Sequence, residues 1–173
     1  MPVAVAHPFW VAATGSAPPI FAAGDFQVSA FTIEDRLAIQ DLIVAYGDAV
    51  DRMESPETVA ELFVEDGVFD LSDIGVPAFS GRAAIRDFFV ATFAHNTHHF
   101  HALSNFALTR QDGDSAQMTC YVIGMGISHD GSKVTVHGRY VFDVTRTGQG
   151  WKATRYALQA LMPIMGSTDH LNN

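Results

Sequence analysis

The sequence predicts an α+β domain, with helices packed on one face of a curved antiparallel sheet. Apolar residues recur at helical spacing as far as about residue 93, and from about residue 98 the text is strand-like and punctuated by turns. Helices first and a long meander of strands afterwards put the two kinds of element in separate layers. The chain has 173 residues, of which 48% are hydrophobic and 13 are Phe, which suits a single domain with a large core or an apolar cavity.

The first helix covers about residues 32 to 52. Thr32 is its N-cap and Asp35 makes its first turn acidic, after which Leu37, Leu42, Ile43, Tyr46, Ala49, Val50 and Met53 recur at roughly helical spacing. Ser55 as cap and Pro56 at the first helical position open a short second helix through Ala60, Leu62 and Phe63, which "EDG" ends. "VFDLS" reads as a short strand and "DIGVPAFSG" as a loop. "RAAIRDFFVATF" is the third helix, with Ile85, Phe88, Phe89 and Phe93 on one apolar stripe. Four strand-like stretches follow, "HHFHALSNFALTR", "SAQMTCYVIGMGIS", "VTVHGRYVFDVTR" and "WKATRYALQALMP", separated by the turns "DGD", "HDGSK" and "TGQG". The expected division is an N-terminal arm over 1–30, one domain over 31–165 and a C-terminal tail over 166–173.

Ten basic residues against nineteen acidic ones give a formal charge of -9, and no Lys/Arg cluster interrupts it. Such a field repels phosphate backbones, so nucleic acid is not an expected partner. The single cysteine, Cys120, excludes an internal disulfide framework and fits a reducing, cytoplasmic setting; its place in an apolar run reads as buried packing. The N-terminal segment is apolar, but Pro2, Pro8, Pro18 and Pro19 interrupt it and it lacks the basic start of a signal peptide. Elsewhere no run of about 18 uncharged apolar residues occurs, so no membrane association is expected. "GMGIS" has too few glycines, in the wrong context, for a dinucleotide-binding fingerprint.

Four of the eight histidines, His95, His98, His99 and His101, crowd into "HNTHHFHALSN" at 95–105. In a strand, alternate residues share a face, so His99 and His101 point together while His98 and Phe100 point to the other side. Two neighbouring imidazoles could ligate Zn or Fe, but a catalytic metal site takes a third ligand, which Asp51 could supply, and an ordered surrounding shell.

The order of "IEDRLAIQDLIVAYGDAVDR", "LFVEDGVFD", "FSGRAAIRDFF", "HALSN", "GRYVFDV" and "GWKATRY" resembles the SnoaL-like group of the NTF2-like superfamily over about residues 30 to 162. The resemblance implies a cone of curved antiparallel sheet wrapped by three helices, whose open mouth holds a small apolar molecule without metal or cofactor. It further implies a homo-oligomer, with a trimer ahead of a dimer. The group includes dehydratases of scytalone and of bile acids, a hexachlorocyclohexane dehydrochlorinase, polyketide cyclases and steroid isomerases. It also includes non-catalytic β-subunits of ring-hydroxylating dioxygenases, so fold alone leaves the reaction open.

In the dehydratase and dehydrochlorinase members an Asp near the end of the first helix orients a His on the sheet, which removes a substrate proton. Asp51 and His101 match those positions. A carboxylate bonded to one imidazole nitrogen fixes the tautomer and stabilises the imidazolium formed when the other nitrogen takes a proton. Read from the residues alone, Asp51 is first a solvated helix end beside Arg52, and His101 a packed sheet residue. Tyr46 matches a tyrosine of the bile-acid dehydratase-like members, but five helical residues turn the chain about 140° from in-phase, so it shares a cavity with Asp51 only if the cavity wraps the helix end. Tyr140 in "HGRY" is placed to donate to a substrate oxygen. Arg155 in "WKATRY" falls near a leaving-group arginine of the dehydrochlorinase pattern, although an arginine in a strand equally pairs with a surface carboxylate.

His99 is a possible neighbour of the pocket, and Phe63, Phe69, Phe89, Phe93, Met118 and Met125 are candidates for its wall or plain core. Two departures limit the carry-over. "SAQMTCYVIGMGI" holds no acid where bile-acid dehydratases have a further Asp, and His129 reads as part of the "HDG" turn. The expected activity is a cofactor-independent dehydratase or isomerase that acts by proton abstraction on a small apolar oxygenated molecule. The alternative is a non-catalytic ligand-binding or structural subunit, such as a dioxygenase β-subunit-like module.

Overall fold

A computed structural model describes residues 30–166; the predicted arm, but for Ala30, and the predicted tail, but for Gly166, lie outside the described residues. The elements in chain order are α1 (Ile33–Arg52), α2 (Pro56–Ala60), β1 (Phe63–Asp70), a 3-10 turn (Ser72–Ile74), β2 (Phe79–Ser80) and α3 (Arg82–His95). There follow β3 (Asn96–Asp112), β4 (Ser115–Ser128), β5 (Lys133–Thr147), β6 (Gly150–Ala160) and β7 (Met165–Gly166). The strands lie in the order β2-β1-β6-β5-β4-β3, with β7 beside β5. The result is an α+β fold of the NTF2-like kind, three helices preceding most of a curved sheet.

Two features of this frame differ from the reading of the sequence. The second helix stops at Ala60, and Glu65, Asp66 and Gly67 lie inside β1 instead of closing a helix. Pairing decides this: Leu62 O accepts from the Ala153 N–H at 2.9 Å, and Phe63, fully buried, sits in register with Ala153. Second, β1 runs parallel to β6, so the sheet is mixed and not wholly antiparallel. α1 lies over β3 and β6, α3 lies over β1, and α2 packs against α3 and α1. Ile39, Ile43, Phe69, Phe89 and Phe142 fill the space between these layers. Among the described residues no helix is long and apolar enough to cross a membrane.

The start of α1 is anchored from three directions. The Asp35 N–H donates to the Thr32 hydroxyl at 3.2 Å, and the Thr32 N–H donates back to Asp35 Oδ2 at 2.9 Å, so the N-cap and acidic first turn read in the sequence form a capping box. The other oxygen of Asp35 accepts from Arg146 Nη1 at 2.6 Å and from Trp151 Nε1 at 3.1 Å, fastening the helix to the end of β5 and the start of β6. At about 1.5 Å per residue, Asp51 stands ~24 Å along the same rigid helix, so these bonds fix where its carboxyl arrives.

The Arg146 hydrogen bond, with help from Thr32, holds the Asp35 carboxyl far below its ordinary value. A carboxyl depressed in the folded state stabilises the fold above its unfolded pKa of about 3.9, and that contribution is lost as pH falls through the folded value. Asp35→Asn is therefore expected to lower Tm near neutral pH and to narrow the difference between Tm there and in strong acid, as read from circular dichroism melts. An unchanged difference would contradict this role.

Candidate active site

Asp51 lies in the last turn of α1, just before Met53 ends the helix in the left-handed conformation at φ 50°. Its two oxygens grip a single residue of β3. The His101 N–H donates to Oδ2 at 2.9 Å, and the ring Nδ1 stands 2.5 Å from Oδ1. With the proton on Nδ1 donated to Asp51, Nε2 carries the free lone pair. The two side chains are 10% and 26% exposed, so this pair is shielded without being sealed. Burial pushes the Asp51 carboxyl up, but the hydrogen bonds and charge of His101 outweigh it and leave the group below its ordinary value. The carboxylate is ionised at neutral pH.

The imidazole opens onto a cavity of about 100 Å³ between the helices and the sheet. Tyr46 reaches it from α1, Phe69 from β1, Phe89 from α3, His99 from β3 and Tyr140 from β5, while Met125 lies at its side with 40% exposure. The cavity does not wrap the end of α1: Tyr46 and Val50, four residues apart on one helix face, line it and Asp51 does not, so Asp51 meets Tyr46 only through His101, whose ring lies 6.4 Å from that of Tyr46. Tyr140 approaches the same imidazole at 6.2 Å between ring centres.

Tyr156 on β6 also lines the cavity, and the sequence reading overlooked it. Its ring stands 5.1 Å from Tyr46 and 4.9 Å from Tyr140. Burial pushes all three phenols above their ordinary value. All three are therefore protonated at neutral pH, and each hydroxyl carries a proton that can be donated.

Arg155, expected to bind the substrate, does not line the cavity. Alternation from Trp151 turns 151, 153 and 155 to the same side, but the β5–β6 register slips between Asp143 and Val144, which pair with Arg155 and Ala153. Thr154 is the extra residue, and after it the inward positions become Tyr156 and Leu158. Arg155 Nη2 instead bonds Asp70 Oδ2 at 2.6 Å, the surface pairing that was its other reading. It lies with Arg139 and Gln117 along a groove separate from the cavity. Arg155→Ala is expected to leave turnover at the parental rate; a large loss in kcat would contradict this placement.

Three wall candidates also stand elsewhere. Phe63 and Met118 are fully buried in the core and do not line the cavity. Phe93 packs on Phe89, with 5.6 Å between ring centres, outside the lining. Of the four clustered histidines, His95 ends α3, His98 is exposed, and His99 lies 6.2 Å from His101 with its ring nearly parallel, at 15°. Among the described residues no group of three or more His, Cys, Asp or Glu is placed to hold a metal ion. Cys120 is buried and its thiol is pushed up to about 12 by desolvation.

The fold and this cavity define an NTF2-like α+β protein. Residues 32–157 match the SnoaL-like domain, and the chain belongs to that family. It is 54% identical to a solved structure from Novosphingobium aromaticivorans described as a candidate aromatic ring hydroxylase, with a TM-score of 0.80 over 82% of this chain and 99% of that one. An NTF2-like protein with a cystatin-like fold from the same organism is 29% identical, with a TM-score of 0.56 over 75% of this chain and 83% of that one. A candidate scytalone dehydratase, again from N. aromaticivorans, shares the fold at 21% identity and a TM-score of 0.68, covering 79% and 92% of the two chains. No curated protein matches the chain at a significant level.

Proposed function

We propose that the protein is a cofactor-independent lyase or isomerase that removes a proton from a small, largely apolar, oxygenated molecule. The observation that carries this reading is the Asp51–His101 pair opening onto an apolar cavity that three protonated phenols also line. His101 Nε2 takes a proton from a carbon next to a carbonyl or to a hydroxyl-bearing carbon. Asp51 stabilises the imidazolium that results. Tyr46 and Tyr140 donate to the oxygen on which negative charge grows, with Tyr156 beside them, so that the charge develops against dipoles already in place. The imidazolium then returns its proton, to a departing hydroxyl in a dehydration or to a different carbon in an isomerisation.

The size of the cavity narrows the substrate. An apolar cavity of about 150 Å³ takes up benzene, so a space of about 100 Å³ holds no more than one ring, with the rest of any larger molecule in the open mouth. The test is a screen of the purified protein against aromatic hydroxy-ketones, polyketide-like compounds and hydroxy-steroids, read by loss of water or by a shifted double bond. Turnover is expected among single-ring hydroxy-ketones. Turnover confined to compounds without an acidic C–H would contradict the reading.

The name carried by the 54%-identical relative favours a second reading, a non-catalytic module of a ring-hydroxylating enzyme. Under it the isolated chain turns over none of these compounds. Asp51→Asn would then leave the hydroxylating assembly fully active.

A further inference from the structure

The two glycines of "GMGIS" lie opposite the two inward histidines. In the β3–β4 ladder, His101 pairs with Gly124 and His99 with Gly126. A Cβ built on Gly124 would lie 3.5 Å from Cδ2 and 3.6 Å from Nε2 of His101, and one on Gly126 would lie 3.8 Å from Cε1 of His99. His101 therefore leans over backbone that carries no side chain at Gly124, while at Gly126 the nearest neighbour is Val134 Cγ1, at 3.4 Å, with His99 beyond it; both glycines line the cavity. His101 is nine-tenths buried, with Nδ1 held by Asp51, and its Nε2 is aimed at this strip. Neither glycine is obliged by its own backbone, since both have ordinary extended conformations in which any residue fits. Gly in a strand interior weakens the strand, so two within three positions of β4 call for a reason other than the fold.

We infer that Gly124 and Gly126 are specificity-determining residues, which admit a flat, unsaturated ring along the bare β4 backbone to His101 Nε2. This inference rests on the proposed role of His101 as base and names the shape of substrate that role requires. A planar ring lies against peptide planes with no side chain between, and its edge C–H then meets Nε2. A puckered ring of the same atom count is thicker and is held off. A methyl group at position 124 occupies the same approach at van der Waals distance from Nε2, without displacing backbone.

Diethyl pyrocarbonate tests the approach without a known substrate. The Nε2 lone pair attacks one carbonyl of the reagent, an N–C bond forms, and ethyl carbonate leaves. Carbethoxylation of each histidine is followed by peptide mass spectrometry, with exposed His98 as internal standard. In Gly124→Ala, His101 is expected to react at least tenfold more slowly than in the parent, while His98 keeps its rate and Tm does not fall. Phenol added to the parent is expected to slow reaction at His101 more than an equal concentration of cyclohexanol. An unchanged His101 rate in Gly124→Ala, or equal protection by the two alcohols, would overturn the inference. Failure of the catalytic reading leaves this readout intact, because the reagent reports an open Nε2 whether or not His101 is a base in turnover.

Discussion

Asp51→Asn is expected to lower kcat by about 10³- to 10⁴-fold on whatever substrate the parent turns over, the loss that follows when a carboxylate partner of a catalytic His becomes an amide. The side chain keeps its shape, so the His101 N–H still finds an acceptor where Asp51 Oδ2 stands at 2.9 Å. What disappears is the negative charge opposite Nδ1. Without it the imidazolium formed after proton transfer has no counter-charge, and an amide nitrogen turned toward Nδ1 selects the tautomer whose proton sits on Nε2. That tautomer presents a donor to the substrate where a base is needed. Steady-state kinetics check this: kcat falls with little change in KM, and the circular dichroism spectrum remains that of the parent. A parental kcat would contradict the pairing.

Phe69→Ala is expected to be the most destabilising substitution at the wall of the cavity, at about 3–5 kcal/mol. Phe69 is 1% exposed and its ring stacks on Tyr156 at 4.5 Å and 9°, with Phe63, Phe88, Phe89 and Tyr46 also against it. Those neighbours belong to α1, β1, β6 and α3, so no single element can move in to fill the space. A domain of this size has a total stability of about 5–15 kcal/mol, so the variant stands near the limit of folding. Urea unfolding measures it; a loss below about 1 kcal/mol would mean that the neighbouring rings close the gap. The same change releases Tyr156, and so couples the stability of the core to the donor side of the cavity.

The helical half of the fold was legible because each helix carries its own signals. The Thr32–Asp35 box and the stripe through Ile85 and Phe89 are local patterns, and local patterns survive into the folded chain. The end of α2 was not legible, because "LFVEDGVFD" becomes a strand only through its register with β6, ninety residues away in sequence. The same limit explains the candidate site. Asp51 and His101 were legible as a pair through the resemblance, and strand alternation put His99 and His101 together because β3 is regular from His98 to Ser104. Alternation failed on β6, where one extra residue, Thr154, exchanges Arg155 for Tyr156. A bulge of that kind leaves no local mark in "WKATRY"; it is visible only when β5 is laid beside β6.

The glycines opposite the histidines teach a related lesson. "GMGIS" read alone resembles nothing useful, and its meaning lies across the ladder, where each glycine faces an imidazole. The candidate site consists of pairs of residues that the fold brings together from distant positions: Asp51 with His101, Tyr46 with Tyr156, and His101 with Gly124.

The central claim is that His101 is the base, and the rate of His101→Ala on the first compound that the parent turns over tests it most directly. The account predicts a fall in kcat of at least about 10²-fold, the lower end of what a positioned general base contributes, with the parental Tm retained. A His101→Ala protein that turns the same compound over at the parental rate would contradict it.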